Sequence, residues 1–249
     1  MHSMTISSII FAIIFGAAVA GMLLRRVLPQ HHLSSESKEV IKLGTGLVAT
    51  MAALVLGLLV ASAKASFDAQ SSEVTQASAN IVMLDRLLAL YGPETKEIRE
   101  SLRGITVRAL EEAWSKDRTG PPEFGAAGNE VMLGKIQDLS PENKLQHTIQ
   151  SQALSLTMNL GQTRWLMFEQ GVNAVSKPMV VVMVFWLAII FMTWGMLSPP
   201  NVSVVASLFA AALSVSGAMF LILEMYNPYR GLIQISSAPL RAALGRLGQ

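Results

Sequence analysis

The chain has 249 residues, 51% of them hydrophobic and 14% charged, with 19 Lys and Arg against 17 Asp and Glu and no cysteine. Soluble domains carry roughly 25% charged residues, so the deficit argues for a membrane protein, and the missing cysteines exclude disulfide frameworks and thiolate metal sites. The net charge of +2 comes without a basic run, and His2, His31, His32 and His147 show no metal-ligand spacing, which speaks against nucleic acid as a partner and against a bound metal or cofactor.

Charge is missing in blocks. No charged residue occurs from Ser3 to Leu24, from Leu43 to Ala63, or over the 46 positions from Pro178 to Leu223. About 20 apolar residues at 1.5 Å rise cross the hydrocarbon core, so the third block holds two crossings, separated by Ser198-Pro199-Pro200-Asn201. Four spans are expected, at 5–24, 43–63, 179–197 and 202–223. Ala18-Val19-Ala20 looks like a signal-peptidase site. The segment before it lacks Lys and Arg, however, and Arg25-Arg26 follow it, which is the pattern of a retained membrane helix.

Pro29 ends the first helix, and Ser34 or Ser35 can cap the next. No Gly-Pro punctuation follows until Tyr91-Gly92-Pro93, so one rod over 36–91 is expected. Its polar half carries Phe67, Val74, Ala77, Ile81, Leu84, Leu88 and Tyr91, a heptad-like stripe that needs a partner helix. Pro93 opens a helix with Ile98, Leu102, Ile105, Ala109 and Ala113 on one face. A loop over 118–129 and a short helix over 130–138 come next. Ser140-Pro141-Glu142 reads as an N-cap, a proline at the first helical position and a first-turn acid. The helix it opens buries Leu145, Ile149, Ala153, Leu156 and Leu160 and runs to about 175. From Ser237-Ala238-Pro239 a short basic amphipathic helix, with Leu240, Leu244 and Leu247 against Arg241 and Arg246, lies on the membrane surface or docks on the insert. The fold class is an all-α membrane protein with four transmembrane helices in two pairs. The expected division is 1–63 for the first pair, 64–177 for a helical extramembrane insert, 178–224 for the second pair and 225–249 for the C-terminal segment.

The second span has a small-residue face, made by Gly46, Thr50, Ala53, Gly57 and Ala61, with Lys64 at its mouth. Such a face lets helices pack closely within a chain, or it lines a pore or subunit interface where small side chains leave room for water and ions. Asp68 stands one turn beyond Lys64, as an i,i+4 pair or part of a charged ring. Glu224 ends the fourth span and can pair with Arg164, Lys177 or Arg230 at the junction with the insert, or take part in gating. Neither a Ser-His-Asp set, a phosphate loop nor a zincin motif occurs, and the spans hold neither acids nor histidines, so the chain is not expected to be an enzyme. Orientation is undecided by charge. Arg25, Arg26, Lys38 and Lys42 between the first two spans face Lys64, Lys177, Arg230, Arg241 and Arg246 on the other side, and the double arginine favours the first loop as cytoplasmic.

Several stretches together resemble the bestrophin-like-domain family of bacterial membrane proteins. They are Leu47-Val48-Ala49-Thr50-Met51-Ala52-Ala53-Leu54-Val55-Leu56-Gly57 running to Phe67-Asp68, then Val107-Arg108-Ala109-Leu110-Glu111-Glu112-Ala113-Trp114, Arg164 followed by Pro178, and Asn227-Pro228-Tyr229-Arg230-Gly231 with Ile235-Ser236-Ser237-Ala238-Pro239-Leu240. The similarity covers most of the chain. It implies a link to bestrophins, pentameric anion channels with four membrane helices per subunit and a helical cytosolic part. By that link the expectation is a homo-oligomeric ion channel of the bacterial inner membrane, with an inorganic ion as its cargo. The second span has Ala, Leu, Val and Gly where a bestrophin's pore neck carries an aromatic triplet, and the acidic calcium clasp of the animal channels has no counterpart. Bestrophins keep the insert in the cytoplasm, opposite to the side favoured by Arg25-Arg26, so the side of the insert stays open. The alternative function is a non-conducting scaffold or sensor whose insert binds a partner protein.

Overall fold

The structure, a computed structural model, describes residues 2–27, 34–115, 126–172, 177–229 and 231–248. These residues form helices without a strand: α1 (His2–Val27), α2 (Ser35–Tyr91), α3 (Lys96–Ala113), α4 (Ala126–Gln137), α5 (Lys144–Val172), α6 (Lys177–Leu197), α7 (Val202–Met225) and α8 (Ala238–Arg246). The fold is therefore all-α. Four of the helices, α1, α2, α6 and α7, are long and apolar enough to cross a bilayer. Large apolar side chains such as Ile9, Leu47, Leu54, Val181, Phe185 and Leu213 stand exposed on them. Water would penalise such surfaces, whereas lipid covers them at no cost. The chain is a multi-pass membrane protein.

Helix ends follow capping chemistry. The Ser34 hydroxyl oxygen accepts from the Ser37 amide at 3.3 Å and opens α2. With 57 residues, α2 runs for about 85 Å at 1.5 Å per residue. It stops at Gly92, whose φ of 146° is closed to side-chain-bearing residues. A single 3-10 turn, Pro93–Thr95, follows, and the buried Thr95 hydroxyl donates back to the Leu88 and Gly92 carbonyls. Asn201 caps α7 by accepting from the Val204 amide at 2.9 Å. At α5 the expectation was wrong. Ser140-Pro141-Glu142 precede the helix, and Asn143 Oδ1 caps it instead, accepting from the Gln146 amide at 2.9 Å. The Gln146 side chain completes the arrangement: its Oε1 accepts from the Glu142 amide and its Nε2 donates to the Tyr91 carbonyl. The later start leaves Leu145 in the first turn, 61% exposed rather than buried.

Packing divides the chain into two units, Met1–Ala65 with Val175–Tyr226, and Ser66–Ala174 with Asn227–Gln249. In the first, Ile10, Ile14, Ala18 and Met22 recur every four residues as one buried stripe of α1. That stripe packs directly on α6 and α7, so the first span binds closest to the third and fourth. Gly21 and Gly195 make the closest approach: a Cβ on Gly21 would fall 2.0 Å from the Met192 carbonyl oxygen, and one on Gly195 2.1 Å from that of Ala18. Phe11 and Phe15 both meet Phe209 edge-on, at 5.3 and 5.4 Å. Arg25 Nη1 donates to the Leu197 carbonyl at 3.3 Å, satisfying an orphan acceptor at the end of α6.

In the second unit, Ile81, Leu84 and Leu88 of α2 pack with Ile98 and Leu102 of α3, Met132 and Ile136 of α4, and Ala153 of α5. Leu84 and Leu88 are fully buried, which stabilises by about 1.5–3 kcal/mol each. The heptad-like stripe thus finds its partners. α8 adds Leu240, and the residue after it, Leu247, joins the same core, so of the two expected positions the helix takes the one on the insert. Its lead-in is fixed by Trp114, whose Nε1 donates to the Ile235 carbonyl at 2.9 Å and whose ring meets Tyr229 edge-on.

Candidate pore-lining face of the second span

Within the first unit α2 buries Thr45, Ala52, Leu59 and Ala63, positions spaced so that they share one side of a 3.6-residue helix. Val48, Ala49, Val55 and Leu56 flank that side and pack on the same core. Tyr226, at the end of α7, reaches across to the Ser62 hydroxyl, with 3.4 Å between their oxygens.

The small-residue face points elsewhere. Gly46, Thr50, Ala53, Gly57, Ala61 and Lys64 are all exposed in the single chain. A Cβ added at Gly46 or Gly57 would meet nothing within 4 Å, in contrast to the tight seat of Gly21. The face is therefore not what packs this chain on itself. Thr50 donates its hydroxyl proton to the Gly46 carbonyl at 2.9 Å, which satisfies the donor within the helix and leaves the oxygen lone pairs outward. Beside this face runs a second exposed stripe, Leu43, Leu47, Met51, Leu54 and Leu58. At 100° per residue the two stripes are centred roughly 80–90° apart, so the exposed arc of α2 has a small flank and a bulky apolar flank.

The candidate junction residues belong to both units. Glu224 is buried at the end of α7 in the first unit, with 4% of its surface exposed. Asp68 is exposed on α2 and Arg164 is partly buried on α5, both in the second unit. Arg230 lies outside the described residues, as do positions 118–125 of the expected loop.

The ion pairs that organise the insert escaped the sequence reading. Asp85 of α2 is 1% exposed and accepts from Arg99 Nε at 2.8 Å and Nη2 at 3.0 Å. This two-point pairing ties α2 to α3, and its hydrogen bonds raise the Arg99 pKa above the usual guanidinium value. The Gly248 amide also donates to Asp85 Oδ2, at 3.3 Å, so the same carboxylate holds the C-terminal segment. A signal existed: Asp85 and Arg99 stand at similar distances either side of the Gly92-Pro93 turn, where a helical hairpin brings them level. On the surface, Lys135 Nζ bonds Glu97 Oε1 at 2.8 Å and thereby lowers the Glu97 pKa. Among the described residues no group of His, Asp and Glu is arranged to hold a metal ion.

The family model of the Bestrophin-like domain matches residues 12–240. Comparison with curated proteins and with solved structures returns no match.

Proposed function

This chain belongs to the Bestrophin-like domain family, and from that premise we propose that it assembles as a homo-oligomeric ion channel with the small-residue face of α2 turned to a central pore. One observation carries the reading: this face is exposed and sterically open in the single chain, next to a bulky apolar stripe. A helix presenting both to lipid would waste the small flank, because large side chains pack better against acyl chains. A helix in a ring turns the two flanks to different surroundings. The bulky flank then meets lipid or a neighbouring subunit, and Gly46, Thr50, Ala53, Gly57 and Ala61 leave a lumen that admits water and ions. Lys64, exposed at the end of the face, forms with Asp68 one turn beyond a ring of charge in such an assembly, and the charge on that ring sets the ion preference.

Planar-bilayer recording of the purified protein tests this. Wild type carries current, Gly57→Leu removes most of it, and Lys64→Glu moves the reversal potential in a salt gradient toward the cation. A monomeric, electrically silent wild type refutes the proposal. If it also co-purifies with a second protein on its insert, a scaffold or sensor becomes the better reading.

A further inference from the structure

The second unit holds a partly open cavity of about 100 Å³ between α2, α3, α4, α5 and α8. Its walls are mostly aliphatic, with Ile81, Leu102, Met132 and Leu160 among them, and Arg164 of α5 lines one side. The Arg164 Nη1 is buried and has no hydrogen-bond partner among the described residues. The recorded contact of its guanidinium is with the face of the neighbouring Trp165, 5.6 Å from the ring centroid. A guanidinium is charged at every accessible pH and carries five donors, and a buried donor without an acceptor is strongly disfavoured. The cavity therefore favours an occupant that accepts from it.

Water would leave the charge of Arg164 uncompensated. An ordered water needs two to four polar partners, and the hydroxyls of Thr106 and Thr157 on the cavity wall already donate into their own helices, to the Leu102 and Ala153 carbonyls. Asn129 and Thr163 add two further polar side chains, and the rest of the wall is mostly hydrocarbon. We propose that this cavity binds a small organic anion, with its carboxylate on Arg164 and a short alkyl tail among the aliphatic side chains. A planar carboxylate matches the guanidinium fork. The volume sets the tail: an apolar cavity of about 150 Å³ takes benzene, so about 100 Å³ suits three or four carbons. Arg164 is itself partly exposed, which gives the anion a route in and out. The site is independent of the channel reading, since its residues belong to the insert.

Calorimetric titration of the full-length protein in lipid nanodiscs tests the proposal, with butyrate as probe, acetate as the head alone and n-butanol as the tail alone. Butyrate is expected to bind roughly tenfold or more tightly than either control. Arg164→Gln should weaken butyrate roughly tenfold or more. Ala109→Leu, which fills the cavity and keeps the arginine, should abolish binding and raise the melting temperature. Absence of butyrate binding, acetate or butanol matching it, or unchanged binding in the Ala109→Leu protein would each overturn the site. Bilayer silence with intact butyrate binding would remove the channel and leave the site standing.

Discussion

The same substitution at two glycines separates a packed face from an open one. Gly21→Ala places a Cβ 2.0 Å from a backbone oxygen, where ordinary contact begins at 3.4 Å, so α1 and α6 must part by about 1.4 Å, the difference of those values. The obstacle is the Met192 carbonyl rather than a flexible side chain, so it cannot swing away. Overpacking of this kind costs about 1–3 kcal/mol. Gly57→Ala meets nothing within 4 Å. Both changes gain the same helix propensity, about 1 kcal/mol, and that gain cancels in the comparison. Gly21→Ala is therefore expected to be less stable than Gly57→Ala by about 1–3 kcal/mol, with Gly57→Ala at or above wild type. Equilibrium unfolding in mixed micelles at increasing SDS fraction, followed by circular dichroism, measures the gap. Equal stability of the two variants, or Gly57→Ala as the weaker, would refute the assignment of the packing faces.

Asp85→Asn should loosen the insert by about 2–4 kcal/mol: breaking a buried pair costs about 3–5 kcal/mol, and Arg99, whose side chain is 22% exposed, recovers part of that from water. Hydrogen exchange should then speed up along the α2–α3 hairpin and the C-terminal segment while α1 stays protected; uniform exchange would count against this role of Asp85. Glu97→Gln has a pH signature. Lys135 lowers the folded-state pKa of Glu97, so its contribution is present above the ordinary carboxylate pKa and is lost as pH falls through the lower folded value. Melting temperatures of wild type and Glu97→Gln should differ by a constant small amount from about pH 6 to 8 and converge in acid; a difference that grows on acidification would contradict the pairing.

The membrane helices were legible because charge is absent in whole blocks, and α2 was legible as one rod because nothing breaks it before Gly92-Pro93. The stripe from Val74 to Tyr91 showed its core side for the same local reason, a period that one helix carries by itself. Where two local signals compete, the reading failed: Ser140 looks as good a cap as Asn143, and the hydrogen bond from Gln146 to the Tyr91 carbonyl decides between them. Features that need the register of two helices were hidden. Gly21 and Gly195 are unremarked in sequence until α1 lies on α6, and Arg164 shows its buried nitrogen only when several helices close around it. The exposed arc of α2 belongs to an intermediate class. The small residues could be read as a face, while its freedom from intrachain packing required the structure.

The native chain has no cysteine, so a single thiol on α2 can be followed alone. Currents through Gly57→Cys and Leu54→Cys proteins should be recorded while a charged methanethiosulfonate reagent is added to the aqueous bath. With the small face lining the pore, the reagent blocks Gly57→Cys and leaves Leu54→Cys unchanged. Block of Leu54→Cys with Gly57→Cys untouched would place the pore elsewhere and contradict the assignment.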